Sequence, residues 1–396
     1  MRILQKCYEP SLYDALREIG MYTYFQRVDE CGEAVARIGG HEVVMCGSNN
    51  YLGLTHHEDV QAAAIDAIGR YGTGSAGSRF LNGNLALHEE LEEELSAFVG
   101  MPAALSFPSG YQTNLGVLSA MADARDHVVL DKFAHASMVD GTMLSRAKIA
   151  RFAHNSAASL DEKLTRIGGD AGAMVLVDGV YSMDGDIADL VPISETCRRH
   201  DAVLMVDDAH GIGVLAGGRG TCAQLGVQPD LVTVTFSKAL ASLGGAILGD
   251  RRVIDHIRHT SRAMIFTTGA SPADAAAALA ALRVLKAEPW RCERVLKLSD
   301  QLRSELRAMG LAVIGDGTPI LGVEVIDPAA GETELLIKTQ DIHKQLIGLG
   351  VYTNPVGPPA ASCRLRLTLS AAHTDQHLDV VTAAFGKVAG LIGQRW

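Results

Sequence analysis

Four short segments of this 396-residue chain place reactive side chains directly after apolar runs rich in β-branched residues. Thr235-Phe236-Ser237-Lys238 ends one run and leads into the small-residue stretch Ala239-Leu240-Ala241-Ser242-Leu243-Gly244-Gly245. A lysine at the end of a buried strand is partly desolvated, so its amine loses a proton more readily and can attack a carbonyl. Small neighbours would let a flat ligand approach the backbone. Taken alone, a lysine snorkelling at a helix start is the commoner outcome. Val206-Asp207-Asp208-Ala209-His210 sets Asp207 at the end of a second run. A fixed carboxylate there could keep a pyridine nitrogen protonated and make the ring an electron sink, although an N-cap is the ordinary role of such a residue. His135, in Asp131-Lys132-Phe133-Ala134-His135-Ala136-Ser137, follows a third run and could stack on that ring; a lone histidine is more often structural. Ser109-Gly110-Tyr111-Gln112-Thr113-Asn114 offers hydroxyls and a glycine where a helix opens. Free N–H groups and the helix dipole favour a phosphate there, and a plain capped turn explains the same residues equally well. One ligand accounts for all four segments: a phosphorylated pyridine aldehyde needs an amine, a ring carboxylate, a stacking partner and a phosphate cradle.

The elements that must position these groups are legible around them. The runs at 127–133, 173–180, 202–208 and 231–237 are apolar throughout, as strands buried on both faces of a parallel α/β sheet are. Open sheets of this kind bind ligands outside the carboxyl ends of their strands, which is where the reactive residues fall. Leu87, Leu91, Leu95 and Phe98 line one helix stopped by Gly100, and Val295, Leu298, Leu302, Leu306 and Met309 line another stopped by Gly310. Further runs at 311–315, 320–326 and 365–370, with a helical stretch near 336–349, predict a smaller C-terminal α+β domain. The expected division is an N-terminal arm and strand segment at 1–50, a large α/β domain carrying the cofactor at 51–285, and the small domain at 286–396.

Composition closes off other classes. With 46 acidic against 35 basic residues, a net charge of −11 and no basic run, the chain lacks the positive field that nucleic acid requires. Seven scattered cysteines without a C-x-x-C pair read as reduced thiols of a cytoplasmic protein, with no metal site. Charges interrupt every apolar stretch, including 272–287, so no membrane span is expected, and no export signal is expected at the charged N-terminus. Gly72-Thr73-Gly74-Ser75-Ala76-Gly77 satisfies the dinucleotide fingerprint but follows a helical stretch instead of a strand. His56 and His57 are adjacent, point apart, and are assigned to the surface.

Joined together, GSNNYLGL (47–54), GSRFLNG (77–83), SGYQTN (109–114), HAS (135–137), DGVYSMDGD (178–186), VDDAH (206–210), TFSK (235–238) and RLRLTLSAAHT (364–374) resemble the α-oxoamine synthases, from about Tyr22 onward. GSRFLNG, VDDAH and ASLGG are most similar to the bacterial serine palmitoyltransferases. The glycine after His210 and RLRLTLSAAH are more similar to 8-amino-7-oxononanoate synthases. The resemblance implies fold type I of the pyridoxal 5′-phosphate (PLP) transferases, related to class-II aminotransferases, with a mostly parallel central sheet and a smaller C-terminal α+β domain. It also implies that Lys238 bonds covalently to the cofactor aldehyde, Asp207 pairs with the ring nitrogen, His135 stacks on the ring and assists catalysis, and His210 lies near the ring hydroxyl. Gly110, Tyr111, Ser182 and Thr235 resemble cofactor contacts, and Thr267 resembles a hydroxyl reaching the phosphate from the second subunit of a homodimer. Arg366, helped by Asn50, resembles a clamp on an amino-acid carboxylate. The implied reaction condenses serine, glycine or alanine with an acyl thioester, carried on coenzyme A or acyl carrier protein, to a 2-amino ketone and CO2. The alternatives are 8-amino-7-oxononanoate synthase or 2-amino-3-ketobutyrate CoA ligase activity, or a PLP aminotransferase. Asp178 stands where the family often has glutamate, and Gly269-Ala270-Ser271-Pro272 replaces S-L-P-P. Both changes are expected to bear on the dimer and on acyl entry.

Overall fold

The computed structural model describes residues 2–169, 171–358 and 360–393. It forms two compact units, Asn49–Lys297 and, separately, Met1–Ser48 with Leu298–Trp396.

The larger unit is built on a seven-stranded sheet of β1 (Ala103–Phe107), β2 (His127–Asp131), β3 (Lys148–Phe152), β4 (Ala173–Asp178), β5 (Val203–Asp207), β6 (Leu231–Thr235) and β7 (Gly245–Gly249). Their spatial order is β1-β7-β6-β5-β4-β2-β3. Strands β2 to β6 run parallel, and β7 is antiparallel to both β1 and β6. Every residue of β6 is buried, as are all but the first of β2, β4 and β5. The uninterrupted apolar runs therefore are strands covered on both faces. Each strand ends before its run does, at Asp131, Asp178, Asp207 and Thr235. On one face Phe107, Leu118, Leu130, Met138, Leu176 and Met205 belong to one apolar core. Both helical stripes are realised. Leu87, Leu91 and Leu95 are buried in Ala86–Val99, which ends at a left-handed Gly100, and Val295, Leu298, Leu302 and Leu306 are buried in Trp290–Ala308.

The smaller unit holds two four-stranded sheets. One orders Val28–Cys31, Val35–Ile38, His41–Met45 and Val351–Tyr352, so it draws on both ends of the chain. The other orders Val313–Ile314, Ile320–Glu324, Arg364–Thr368 and Asn354–Val356, all antiparallel. Thr368 stitches the two sheets, donating its N–H to Cys46 O at 2.8 Å and its hydroxyl to Ser48 O at 2.6 Å. Helices Glu332–Gly348 and Asp375–Ile392 complete the unit. Among the described residues no helix is long and apolar enough to cross a membrane.

Candidate active site

The carboxyl ends of adjacent parallel strands bring the reactive residues of the larger unit together. Asp207 closes β5, in register with Asp178 at the end of β4 and Thr233 on β6. Lys238 follows β6 in a tight turn closed by Phe236 N–H to Gly244 O at 2.9 Å and Ala241 N–H to Lys238 O at 3.0 Å. Its Nζ lies 2.8 Å from His210 Nε2, and His210 Nδ1 lies 2.6 Å from the hydroxyl of Tyr51, a fully buried residue. A lysine merely snorkelling to solvent would not be tethered in this way.

A second chain of bonds holds the carboxylate and the other histidine. Asn114 Nδ2 donates to Asp207 Oδ2 at 2.6 Å and to Ser137 Oγ at 2.8 Å, and Ser137 Oγ lies 2.7 Å from His135 Nδ1. Asp207 Oδ1 also accepts the Ala209 N–H at 3.2 Å. His135 doubles as the N-cap of helix Ala136–Ser145, its Nδ1 accepting the Ser137 N–H at 3.3 Å. That contact leaves Nδ1 unprotonated. Burial pushes the His135 pKa down, the nearby Lys238 charge lowers it further, and Asp207 opposes both. The imidazole is therefore neutral at neutral pH, with its one proton on Nε2.

Two residues of this network carry roles that the motifs did not announce. Asn114, expected only as part of a phosphate-binding turn, instead orients Asp207 across a separation of 93 residues. Asp178, expected to bear on the dimer and acyl entry, lies beneath His135, and its Oδ2 accepts the His135 N–H at 3.0 Å. Burial and the neighbouring Asp207 raise the Asp178 pKa well above the carboxylate range. No sequence spacing signals either contact, since both depend on which strands become neighbours.

At the other end of the site Ser109 caps helix Gly110–Met121, accepting the Gln112 N–H at 3.1 Å. A Cβ on Gly245 would fall 2.6 Å from Gly110 Cα, and one on Gly110 would fall 3.0 Å from the Thr235 side chain. The two glycines thus let the helix start press against the ends of β6 and β7 beside the Thr235 hydroxyl. The Tyr111 ring stands edge-on to His135 at 6.4 Å, and its hydroxyl donates to Asp140. Ser182 sits in the turn that Tyr181 N–H closes on Asp186 O at 3.0 Å. Thr267 lies on the loop between helices Arg262–Ile265 and Pro272–Ala287. Asn50 shapes its own turn, accepting Leu54 N–H at 3.0 Å and donating to Thr55 Oγ1 at 2.9 Å. Arg366 belongs to the smaller unit, buried on strand Arg364–Thr368 between Gly322 and Asn354.

The two motifs set aside earlier fold as follows. The glycine-rich segment 72–77 follows helix Glu58–Tyr71 and packs on its neighbours: a Cβ on Gly77 would strike the Asn82 side chain at 1.9 Å. His56 is exposed as expected, and His57 is half-buried, its Nδ1 capping that helix at the Asp59 N–H. In the altered 269–272 segment, Ser271 caps helix Pro272–Ala287 by accepting the Asp274 N–H at 3.1 Å.

The family profile "Aminotransferase class I and II" matches residues 41–385. A serine palmitoyltransferase of Bacteroides ovatus is 41% identical over 366 residues, 91% of either chain. A putative 8-amino-7-oxononanoate synthase of Desulforudis audaxviator is 40% identical over 93% of this chain and 95% of its own. The solved structure of a serine palmitoyltransferase from S. paucimobilis, described with PLP and myriocin bound, superposes with a TM-score of 0.91 at 31% identity over 96% of both chains. The fold is that of the PLP-dependent aminotransferases, a mostly parallel central sheet with a smaller C-terminal domain, as the sequence motifs imply. Matched in sequence and fold along most of its length, the chain belongs to the class I and II aminotransferase family, in its α-oxoamine synthase branch.

Proposed function

We propose that this protein is a PLP-dependent C-acyltransferase of the serine palmitoyltransferase kind. It joins the α-carbon of serine, glycine or alanine to the acyl carbon of a thioester and releases CO2, the free thiol and a 2-amino ketone. The observation that carries this reading is the pair of tethers Lys238–His210–Tyr51 and Asp207–Asn114–Ser137–His135 on neighbouring strand ends. The donor set fits the cofactor. Asp207 is a buried carboxylate suited to a protonated ring nitrogen, Lys238 is an amine held at a histidine, and the Ser109–Tyr111 helix start, with Thr235, offers N–H and hydroxyl donors to a phosphate. When bound, PLP supplies an aldehyde for amine exchange and a protonated ring that withdraws electrons from the substrate α-carbon.

The chain's own residues do the rest. Lys238 Nζ would hold the cofactor and, as a free amine, would take the substrate α-proton, with the neutral His135 imidazole beside it to assist. Asp207, kept in place by Asn114, would keep the ring nitrogen protonated, and His210 would lie beside the ring hydroxyl. Gly110, Tyr111, Ser182 and Thr235 line the cofactor, and Arg366 with Asn50 grips the substrate carboxylate. Guanidinium suits that task through its bidentate geometry. The working unit is a homodimer in which Thr267 of each protomer reaches the other's phosphate. Exposed Phe80, Leu81 and Phe266 near that loop support a covered surface there. Seven unpaired cysteines, five of them buried, support a reducing, cytoplasmic setting.

A matrix of amino acids against acyl thioesters, scored by product mass, tests the reading. Thioester-dependent 2-amino ketone should appear and vanish in Lys238→Ala together with the cofactor's visible absorbance. Keto acid or amine released without any thioester would replace acyl transfer by transamination or simple decarboxylation.

A further inference from the structure

Behind His135 lies a polar cluster to which no role above is assigned. Asp131 Oδ1 accepts the Phe133 N–H at 2.8 Å, closing the turn that delivers His135, and Oδ2 accepts the Asn155 N–H at 2.9 Å. His154 Nδ1 lies 2.9 Å from that same Asp131, and His154 Nε2 lies 2.8 Å from Asp186 Oδ2. Asn155 reinforces the second contact, donating its Nδ2 to Asp186 at 3.0 Å while its side-chain oxygen accepts the Asp189 N–H at 3.1 Å. The His154 ring is packed by Phe133 at 4.6 Å and by the edge of Tyr181 at 4.4 Å. Ionised carboxylates only accept hydrogen bonds, so a ring with one on each nitrogen carries both protons and is a cation. Burial opposes that charge, yet the bonds to Asp131 and Asp186 outweigh it and hold the imidazole up at about 9.

The cation joins two segments that both belong to the site. Asp131 begins the turn ending at His135, whose own N–H is held by Asp178; Asp186 closes the Tyr181–Asp186 turn that carries Ser182. We propose that His154 is a positioning residue for acyl transfer: clamped between Asp131 and Asp186, it fixes the His135 turn against the Ser182 turn and so sets the His135 imidazole for proton transfer. This inference rests on the function proposed above and on the part His135 plays in it. His154 acts through His135.

The test begins with parent enzyme already shown to form a 2-amino ketone, so failure of the assigned reaction appears as absence of product before any variant is made. His154→Asn can reach only one of the two carboxylates, and Asp186→Asn keeps its shape while losing one charge. For each, kcat and the amino-acid KM are measured separately, and amide hydrogen exchange is followed by mass spectrometry over 131–137 and 181–187. A misplacement of about 1 Å costs on the order of 100-fold, so kcat should fall about 10- to 100-fold in His154→Asn with amino-acid KM within about 3-fold. Exchange should quicken in both segments. Asp186→Asn should move the same quantities in the same direction, and it decides alone if His154→Asn does not fold. Parental kcat and exchange rates in the folded variants overturn the proposal, as does a lower melting temperature with kcat intact.

Discussion

The Lys238 amine and the Asp207 carboxylate are held through separate partners, Lys238 by His210 and Tyr51, Asp207 by Asn114. Both still act on His135, whose pKa Lys238 lowers and Asp207 raises, so their effects are expected to couple. Under the proposed function a third residue, Arg366, buried on a strand of the smaller unit, would bind the amino-acid carboxylate. A bidentate bond between guanidinium and carboxylate is among the strong charge-assisted contacts, and truncation leaves the partner charge unsatisfied. Arg366→Ala should lower kcat/KM for the amino acid by about 2–4 kcal/mol while the thioester KM stays near its parental value. Arg366→Lys should recover only part of the loss, because an ammonium cannot reproduce the planar fork. A variant that alters only the thioester KM would reassign Arg366 to the acyl partner.

Among the elements, helix Gly110–Met121 is tightly seated at its start, where its first residue meets β6 and β7 through glycine contacts. The Gly245 Cβ position is 2.6 Å from Gly110 Cα, a backbone atom that cannot swing aside. Gly245→Ala should therefore displace the helix start, destabilise the fold by about 1–3 kcal/mol and weaken retention of PLP. Thermal melting with equilibrium dialysis of the cofactor checks this, and parental values for both would mean that the helix start does not serve as the phosphate cradle. The same elements show where sequence reading succeeds and where it stops. Strands β2, β4, β5 and β6 were legible because burial on both faces leaves an apolar run. β3 was not, since Lys148–Phe152 lies at the sheet edge and Phe152 is its one fully buried residue; Gly245–Gly249 begins and ends in glycine, a poor strand former. Lys238, Asp207, His135 and His210 could be found because each follows a run whose strand end faces the ligand side. The contacts of Asn114, Asp178 and His154 could not, because their partners lie 93, 43 and 32 residues away and meet only once the strand order is set.

At the scale of the whole molecule, the question is whether one chain holds a complete site. Phe80, Leu81 and Phe266 are 50%, 79% and 74% exposed, on loops joined by the Ser78 hydroxyl, which donates to Ile265 O at 2.7 Å. Single exposed apolar residues are ordinary, but three on adjoining loops beside Thr267 suit a surface that another protomer covers. If Thr267 serves the partner's phosphate, a Lys238→Ala protomer and a Thr267→Ala protomer repair one another. In their heterodimer one site receives both defects, and the other receives the intact lysine of one chain and the intact threonine of its mate. Random association of an equimolar mixture should then restore about one quarter of the sites to parental kcat and cofactor affinity. If each chain instead supplies its own threonine, every site in the heterodimer carries one defect and no parental site appears. Titration of active sites in the refolded mixture against the two separate variants distinguishes the cases, and a mixture no more active than the mean of its components would rule out shared sites.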